Sequence, residues 1–214
     1  MRKKAETAWL FTTTSPDEIF SSYKNIDYNK DLIIAVDAGL DRVNTLGIKP
    51  DLIIGDMDTV SPELLGKYPE NEKIEYEIQK NHTDTELAIL WCLENNIKQV
   101  IIINGLANRF DHSLGLLQNL ALLHSKNITA RIESEKQVVF FLTNKSHLNG
   151  YEGCLLSLFP YGGDATIKNS EGLFFPLKNL TLSPLHTRGI SNNVISSSIT
   201  IELDKGLILA IFTK

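Results

Sequence analysis

Two carboxylates one residue apart, Asp56 and Asp58, are the side chains of this sequence best suited to chemistry. They follow the apolar run 52–54 and Gly55, so we predict that they project from the carboxyl end of a buried strand. Open α/β sheets bind their ligands at that end. Two hard oxygen ligands suit Mg²⁺, and Mg²⁺ suits phosphate chemistry. Two solvated loop aspartates would give the same short pattern, so the remaining residues must decide between the two interpretations.

Other polar residues occupy equivalent positions further along the chain. Asp37 ends the apolar run 32–36, and Asp84 follows Thr83, which we predict to be the N-cap of a helix. Arg109, Asp111 and His112 lie between the apolar run 100–103 and a predicted helix that begins at Ser113. In a parallel sheet all of these strand ends lie on one edge, so the side chains are expected to converge.

Convergence of Asp56, Asp58 and Asp84 would be electrostatically costly without a cation, because like charges at close range disfavour ionisation. Mg²⁺ removes that cost, and Arg109 would offer a phosphate two hydrogen bonds in a fixed geometry. Each residue taken alone also has a structural explanation. Asp84 fits a helix dipole, Asp111 fits an N-cap, and His112 fits a structural histidine as well as a ligand contact.

The elements that position these residues are predicted from periodicity. Up to about residue 130, apolar runs alternate with helical patterns, which predicts an α/β fold with a mostly parallel, Rossmann-like sheet and helices on both faces. The helix from Ser113 to His124 is apolar nearly all round, which predicts a mostly buried helix. Helices are also predicted over 16–23, 40–46 and from 84 to about 96, and a strand over 74–78.

A different texture begins near residue 138. Residues 195–203 alternate between apolar and polar side chains, which predicts a strand with one buried face. Turns are predicted at 161–164 and 204–206. We therefore predict an α/β domain over residues 1–133 and a small antiparallel β domain over residues 134–214.

Composition narrows the range of functions. The 214 residues carry a net charge of −5 without a run of Lys and Arg, which argues against a nucleic-acid partner. No apolar stretch approaches the ~20 residues that cross a bilayer, and the apolar run near the N-terminus is too short for a signal-peptide core. Cys92 and Cys154 lie far apart in apolar surroundings and are predicted to be free thiols, so we expect a cytoplasmic protein without a membrane partner.

Five motifs, in order, resemble the thiamine pyrophosphokinase family. Asp37-Ala38-Gly39 is similar to its early Asp-x-Gly, and 55–59 is similar to its Gly-Asp-Phe-Asp-Ser. The segment 83–88 matches its Thr-Asp-x-Glu-x-Ala, 109–112 its Arg-x-Asp-His, and 189–192 its Gly-x-Ser-Asn. Four places depart from the family pattern. Asn81 stands where an Asp is usual, and Ala107-Asn108 where Gly-Gly is usual. The segment 12–15, Thr-Thr-Thr-Ser, stands where an early Gly-Gly is usual, and Asn193 stands where a Glu is common.

The resemblance implies transfer of the pyrophosphoryl group of ATP to the hydroxyl of thiamine, giving thiamine diphosphate and AMP. It implies that Asp56, Asp58 and Asp84 hold Mg²⁺ and, with Arg109, form the catalytic site. It further implies that Asp37, Arg109, Asp111 and His112 bind ATP and that Ser191 and Asn192 contact thiamine. It implies that residues 1–133 form an α/β catalytic domain that binds the nucleotide. It implies that residues 134–214 form a β-sandwich domain for thiamine binding and dimerisation, with the thiamine site between the subunits of a homodimer.

Two alternatives remain at this stage. A non-catalytic nucleotide or thiamine sensor would be compatible with the departures at Asn81 and 107–108. A haloacid-dehalogenase-type phosphatase would use Asp56 as its nucleophile in an Asp-x-Asp-x-Thr/Val loop, although that loop normally follows the first strand.

Overall fold

The structure, a computed structural model, describes residues 4–16, 21–77, 81–106 and 109–214. It divides into two compact units, the first ending at Glu135 and the second spanning Lys136–Lys214. The division predicted from the sequence, between residues 133 and 134, falls close to this point.

The first unit contains a six-stranded sheet in the order β6-β5-β1-β2-β3-β4. Every strand pair described in this sheet is parallel. The four central strands of this sheet are buried along nearly their whole length and read as continuous apolar runs, which explains why they could be anticipated, whereas the two edge strands are more exposed. The bounds are β1 Thr7–Phe11, β2 Leu32–Val36, β3 Leu52–Gly55, β4 Lys73–Glu75, β5 Gln99–Ile103 and β6 Thr129–Glu133.

In the described part of the unit, four α-helices connect these strands: α1 Gly39–Thr45, α2 Pro62–Leu65, α3 Asp84–Glu94 and α4 Phe110–Ser125. Helix α3 begins where predicted, because the Thr83 side chain accepts a hydrogen bond from the Glu86 N–H at 3.2 Å. Short 3-10 helices lie at Ser21–Asn25 and Glu70–Glu72. The helix predicted over 16–23 and the strand predicted over 74–78 fall partly outside the described residues.

Helix α4 corrects two predictions. It begins at Phe110 rather than Ser113, since Arg109, with extended backbone dihedrals, is the residue just before its first turn. It is not buried all round: Leu116, Leu120 and Leu123 face the interior, whereas Leu114 is 46% exposed. The helix packs one face against the unit, and Leu117 and Leu122 beside that face are half-buried.

The sheet is covered on both faces. Leu40 and Val43 of α1 share a buried cluster with Trp9, Phe11 and Ile33 on one face. Helices α3 and α4 contact the strands through buried residues outside that cluster, which places them on the other face. The arrangement brings the carboxyl ends of β1, β2, β3 and β5 to one edge.

The second unit is antiparallel. Its strands are β7 Gln137–Phe141, β8 Lys145–Asn149, β9 Leu155–Glu171, β10 Leu180–Leu182, β11 Asn192–Asn193 and β12 Ser198–Thr213. The first part of β12 pairs with β8 and the end of β9, and its last part pairs with β7 and the start of β9. Buried residues from both parts, including Ile199, Ile201 and Phe212, belong to one hydrophobic cluster.

The turns predicted at 161–164 and 204–206 are wrong, because these residues lie inside the long strands β9 and β12. The register shifts between Glu202 and Leu207, and Gly206 has a φ of 82°. A bulge with a left-handed glycine bends a strand without ending it, and its sequence signal resembles that of a turn. Among the described residues, no helix combines the length and hydropathy that crossing a membrane requires.

Candidate active site

A cleft of about 260 Å³ lies at the carboxyl edge of the parallel sheet. Asp37 borders it from the end of β2, and Asp84 borders it from the first turn of α3. Arg109, Asp111 and His112 border it from the start of α4. Five of the residues selected from the sequence therefore line one cleft.

Asp56 and Asp58 form an acidic cluster with Asp37. Each of the three offers a carboxylate oxygen within 4.8 Å of the other two. The backbone brings them together through two left-handed residues, Asp37 with a φ of 48° and Met57 with a φ of 60°. The Asp58 N–H also lies 3.4 Å from Oδ1 of Asp56. Asp37 belongs to both the cleft and the cluster, so the two features are continuous.

The negative charges in this cluster oppose one another. A hydrogen bond with the Asp56 side chain is the main cause that raises the pKa of Asp58 above its usual value. Burial and the charges of Asp56, Asp37 and Asp84 raise this pKa further. Such an arrangement is relieved when a cation binds between the carboxylates.

Asp37 has an oxygen available for that cation. Its Oδ2 accepts a hydrogen bond from Oγ1 of Thr59 at 2.8 Å. Within the described part of the chain its Oδ1 is buried and accepts no hydrogen bond. Buried carboxylate oxygens are normally satisfied by a donor or a metal, so the residues present fit a hard divalent cation such as Mg²⁺.

The cluster differs from the expected set at one position. Asp84 was predicted to lie with Asp56 and Asp58, but Asp37 is the third member of the close group. Asp84 lies near enough for its charge to raise the pKa of Asp58. Asn81, the amide found where the family usually has an Asp, is exposed, and 107–108 lie outside the described residues.

Arg109 is held at the cleft by Asp111. Its Nε and Nη2 atoms donate to the two carboxylate oxygens of Asp111 at 3.2 and 2.5 Å. This forked pair raises the pKa of Arg109 and lowers the pKa of Asp111 to about 2. Both side chains remain more than half exposed, so the guanidinium is oriented but still accessible to an anion.

The other wall of the cleft is formed by residues for which no role was predicted: Thr12, Thr13, Thr14 and Asn104. Asn104 is buried, its Nδ2 donates to Oγ1 of Thr12 at 2.8 Å, and its Oδ1 accepts from the Leu106 N–H at 2.8 Å. The Gly105 N–H donates to the Thr14 carbonyl at 2.7 Å. Four consecutive hydroxyl residues after a strand were the available signal.

Gly39 explains part of the local chain path. A Cβ atom at this position would lie 1.9 Å from the carbonyl oxygen of Phe11. Only glycine allows α1 to start this close to the end of β1, so the Asp37-Ala38-Gly39 motif is a packing requirement as well as a site motif.

Ser191 and Asn192 lie in the second unit and differ in exposure. Ser191 is exposed with a φ of 60°, and its N–H donates to Oγ of Ser157 at 3.1 Å. Asn192 is buried and borders a mostly apolar cavity of about 240 Å³. Its amide bonds with the backbone of Phe175.

The first unit is a parallel α/β domain with acidic and cationic side chains at its ligand-binding edge, an arrangement typical of enzymes that transfer phosphoryl groups. A second, antiparallel β domain follows it in the chain. The family model described as "Thiamin pyrophosphokinase, catalytic domain" matches residues 23–132, and "Thiamin pyrophosphokinase, vitamin B1 binding domain" matches residues 141–208. The chain belongs to the thiamin pyrophosphokinase family, which transfers pyrophosphate from ATP to thiamine.

Individual relatives agree with this assignment. The thiamine pyrophosphokinase of Bacillus subtilis is 28% identical over 190 residues, which are 84% of this chain and 86% of that protein. Thiamin pyrophosphokinase 1 of Caenorhabditis elegans is 26% identical over 172 residues, or 76% of this chain and 70% of that protein.

Solved structures share the fold. The crystal structure of the Bacillus subtilis thiamine pyrophosphokinase superposes with a TM-score of 0.84 at 24% identity, covering 97% of this chain and 99% of that chain. The yeast thiamin pyrophosphokinase gives a TM-score of 0.76 at 18% identity, covering 99% of this chain and 87% of that chain.

These findings favour the transferase over both alternatives, the sensor and the phosphatase. The fold argues against the phosphatase as well, since Asp56 follows the third strand of the sequence rather than the first.

Proposed function

We propose that this chain is a Mg²⁺-dependent thiamine diphosphokinase that uses the acidic cluster and Arg109 to transfer the pyrophosphoryl group of ATP to the hydroxyl of thiamine. The observation that carries the proposal is the consecutive match of a catalytic and a vitamin B1 binding domain to the same family. The gathering of acidic and cationic residues at one sheet edge supports it independently.

The metal ligands in this proposal are Asp37, Asp56 and Asp58, with Asp84 beside them. The orphaned buried oxygen of Asp37 supports its inclusion. When bound, Mg²⁺ offsets the negative charge of the phosphate oxygens.

The protein side chains position the nucleotide. Arg109 binds phosphate oxygens through its forked N–H groups, and Asp111 keeps the guanidinium directed along the cleft. His112 and the Thr12–Thr14 wall line the same cleft and would contact a nucleotide bound there. Asp37, Arg109, Asp111 and His112 together form the ATP pocket of the proposal.

The reaction is an in-line displacement at the β-phosphorus of ATP. The thiamine oxygen forms a bond to that phosphorus, and the bond from it to the oxygen shared with the α-phosphorus breaks. AMP leaves with that oxygen, and an aspartate of the site accepts the hydroxyl proton.

Thiamine binds to the second domain, where Ser191 is exposed beside the apolar cavity. We infer that this domain is a β-sandwich, because the two halves of β9 and β12 bury their side chains in one cluster. A homodimer with thiamine at the subunit interface is consistent with the exposed Phe174, Phe175 and Ile190. Two buried free cysteines are consistent with a reducing, cytoplasmic setting.

The test is AMP release from ATP in the presence of thiamine and Mg²⁺. Asp56→Asn and Asp58→Asn should each lower the rate by at least about 100-fold, because each removes a charged ligand at the developing phosphate charge. Asp164→Asn, an exposed aspartate on β9, is the matched control and should keep the wild-type rate. Wild-type rates in folded Asp56→Asn and Asp58→Asn variants would refute the metal site.

A further inference from the structure

The segment Gly189–Ile195 of the second domain is fixed between two neighbours. On one side, Asn192 and Asn193 pair with Leu156 and Leu155 at the start of β9. On the other side the segment faces Gly172–Phe175. Val194 forms a bridge with Leu173, and the Phe174 N–H donates to the Asn193 carbonyl at 2.9 Å.

Asn192 extends this pairing by one step with its side chain. Its Oδ1 accepts from the Phe175 N–H at 3.0 Å, and its Nδ2 donates to the Phe175 carbonyl at 2.7 Å. The amide therefore presents to Phe175 the same donor and acceptor that another strand residue would present. A carboxylate lacks the donor and an alanine lacks both groups, so only an amide of this length completes the pair.

The same bonds occupy the Asn192 side chain. The residue is 6% exposed, and both ends of its amide face the Phe175 backbone. We therefore assign Asn192 to holding the neighbouring backbone rather than to binding a ligand directly.

The supported backbone carries the wall of the apolar cavity. Phe175 and Ile190 line this cavity together with Asn192. The Phe175 ring is 59% exposed and stands at 87° to the Phe174 ring, with 4.8 Å between centroids. An exposed ring has few packing contacts to fix it, so its position depends on its backbone.

The other end of the segment is equally constrained. A Cβ atom at Gly189 would lie 2.1 Å from the Leu158 carbonyl oxygen, and the Leu158 N–H donates to the Gly189 carbonyl at 2.8 Å. Ser191, between Gly189 and Asn192, is thereby held in its left-handed conformation with its side chain exposed.

We propose that Asn192 is a positioning residue: it fixes the backbone of Phe175 and the conformation of Ser191, so that the cavity is preformed for an aromatic ring of thiamine. This assignment rests on the proposed function. A preorganised site needs less ordering when the ligand binds. Loss of preorganisation is therefore expected to weaken substrate binding and to leave the rate of the chemical step unchanged.

The test compares Asn192→Asp with Asn193→Asp. Both variants add one negative charge at neighbouring positions, but Asn193 is exposed and bonds Phe174 only through its backbone. We expect Asn192→Asp to raise the KM for thiamine by about tenfold, since loss of one buried hydrogen bond is of that size. The kcat at saturating thiamine and the KM for ATP should not change, and Asn193→Asp should behave as wild type.

Two further measurements test the positioning role of Asn192. Amide hydrogen exchange at Phe175 should be faster in Asn192→Asp than in the wild type, and Phe175→Leu should raise the thiamine KM with Asn192 intact. The positioning role would be overturned by an unchanged thiamine KM in Asn192→Asp. It would also be overturned if kcat fell and the KM for ATP rose as much as the KM for thiamine. Absence of thiamine turnover in the wild type would instead overturn the proposed function, and this assignment with it.

Discussion

The hydroxyl of Thr59 provides the sharpest test of the proposed metal site, because it contacts one metal ligand and is not itself a ligand. Its Oγ1 donates to Oδ2 of Asp37 at 2.8 Å, which leaves Oδ1 of Asp37 as the available oxygen. Thr59→Val removes that donor and keeps the branched shape of the side chain. Thr59→Ser keeps the hydroxyl and is the matched control.

The size of the effect follows from this contact. A hydrogen bond to a charged group contributes about 1.5–3 kcal/mol, and the Thr59 side chain is exposed, so the lower end applies. About 1.4 kcal/mol is a factor of ten in a binding constant. Substitution of a residue that hydrogen-bonds a metal ligand typically lowers metal affinity by about 10–100-fold. We therefore expect Thr59→Val to need about ten times more Mg²⁺ for half-maximal activity.

The assay is the rate of AMP formation as a function of Mg²⁺ concentration at saturating ATP and thiamine. Thr59→Val should approach the wild-type rate at high Mg²⁺, because the ligands themselves remain. Thr59→Ser should follow the wild-type curve. An unchanged Mg²⁺ dependence in Thr59→Val would refute the claim that Thr59 positions Asp37 for the metal.

Three further predictions concern stability and titration. Arg131 donates to the buried Glu133, so Arg131→Met should lower the free energy of unfolding by about 3 kcal/mol in urea titrations. Adding Glu133→Gln should recover part of that loss, because it removes the unpaired buried charge. An unchanged urea midpoint in Arg131→Met would contradict a stabilising role for this ion pair. Burial raises the pKa of Cys92 to about 12, so this thiol should resist alkylation at pH 8 in the folded protein and react after unfolding; rapid labelling of Cys92 in folded protein would be inconsistent with this. The pKa of Asp111 is lowered to about 2 by its pairing with Arg109, so the pair stabilises the fold above the ordinary carboxyl pKa and loses this contribution as pH falls through about 2; NMR titration of the Asp111 carboxyl should show no midpoint near 3.8.

The four central strands of the parallel sheet were predictable because they are buried on both faces, whereas the more exposed edge strand β6 was not predicted. The run Leu32–Val36 was predicted with the bounds that β2 has, and Thr83 caps α3 as expected. These features depend on local patterns of apolar and capping residues, which can be recognised in the sequence. The start of α4 was missed because Arg109 has no capping signal of its own.

The membership of the acidic cluster was harder to predict. Asp37 joins Asp56 and Asp58 because its backbone adopts a left-handed conformation, which sequence periodicity does not encode. The long bent strands β9 and β12 were read as separate strands because a bulge and a turn share the same glycine signal. The hydrogen bonds between the Asn192 side chain and the Phe175 backbone join positions 17 residues apart, so no local sequence pattern predicts them.

Product analysis tests the central claim most directly. The protein is mixed with ATP, Mg²⁺ and thiamine, and the products are identified and quantified by mass. Transfer of an intact pyrophosphoryl group predicts thiamine diphosphate and AMP in equal amounts. Formation of ADP with thiamine monophosphate, release of phosphate without a thiamine product, or binding of both substrates without turnover would contradict the proposed reaction.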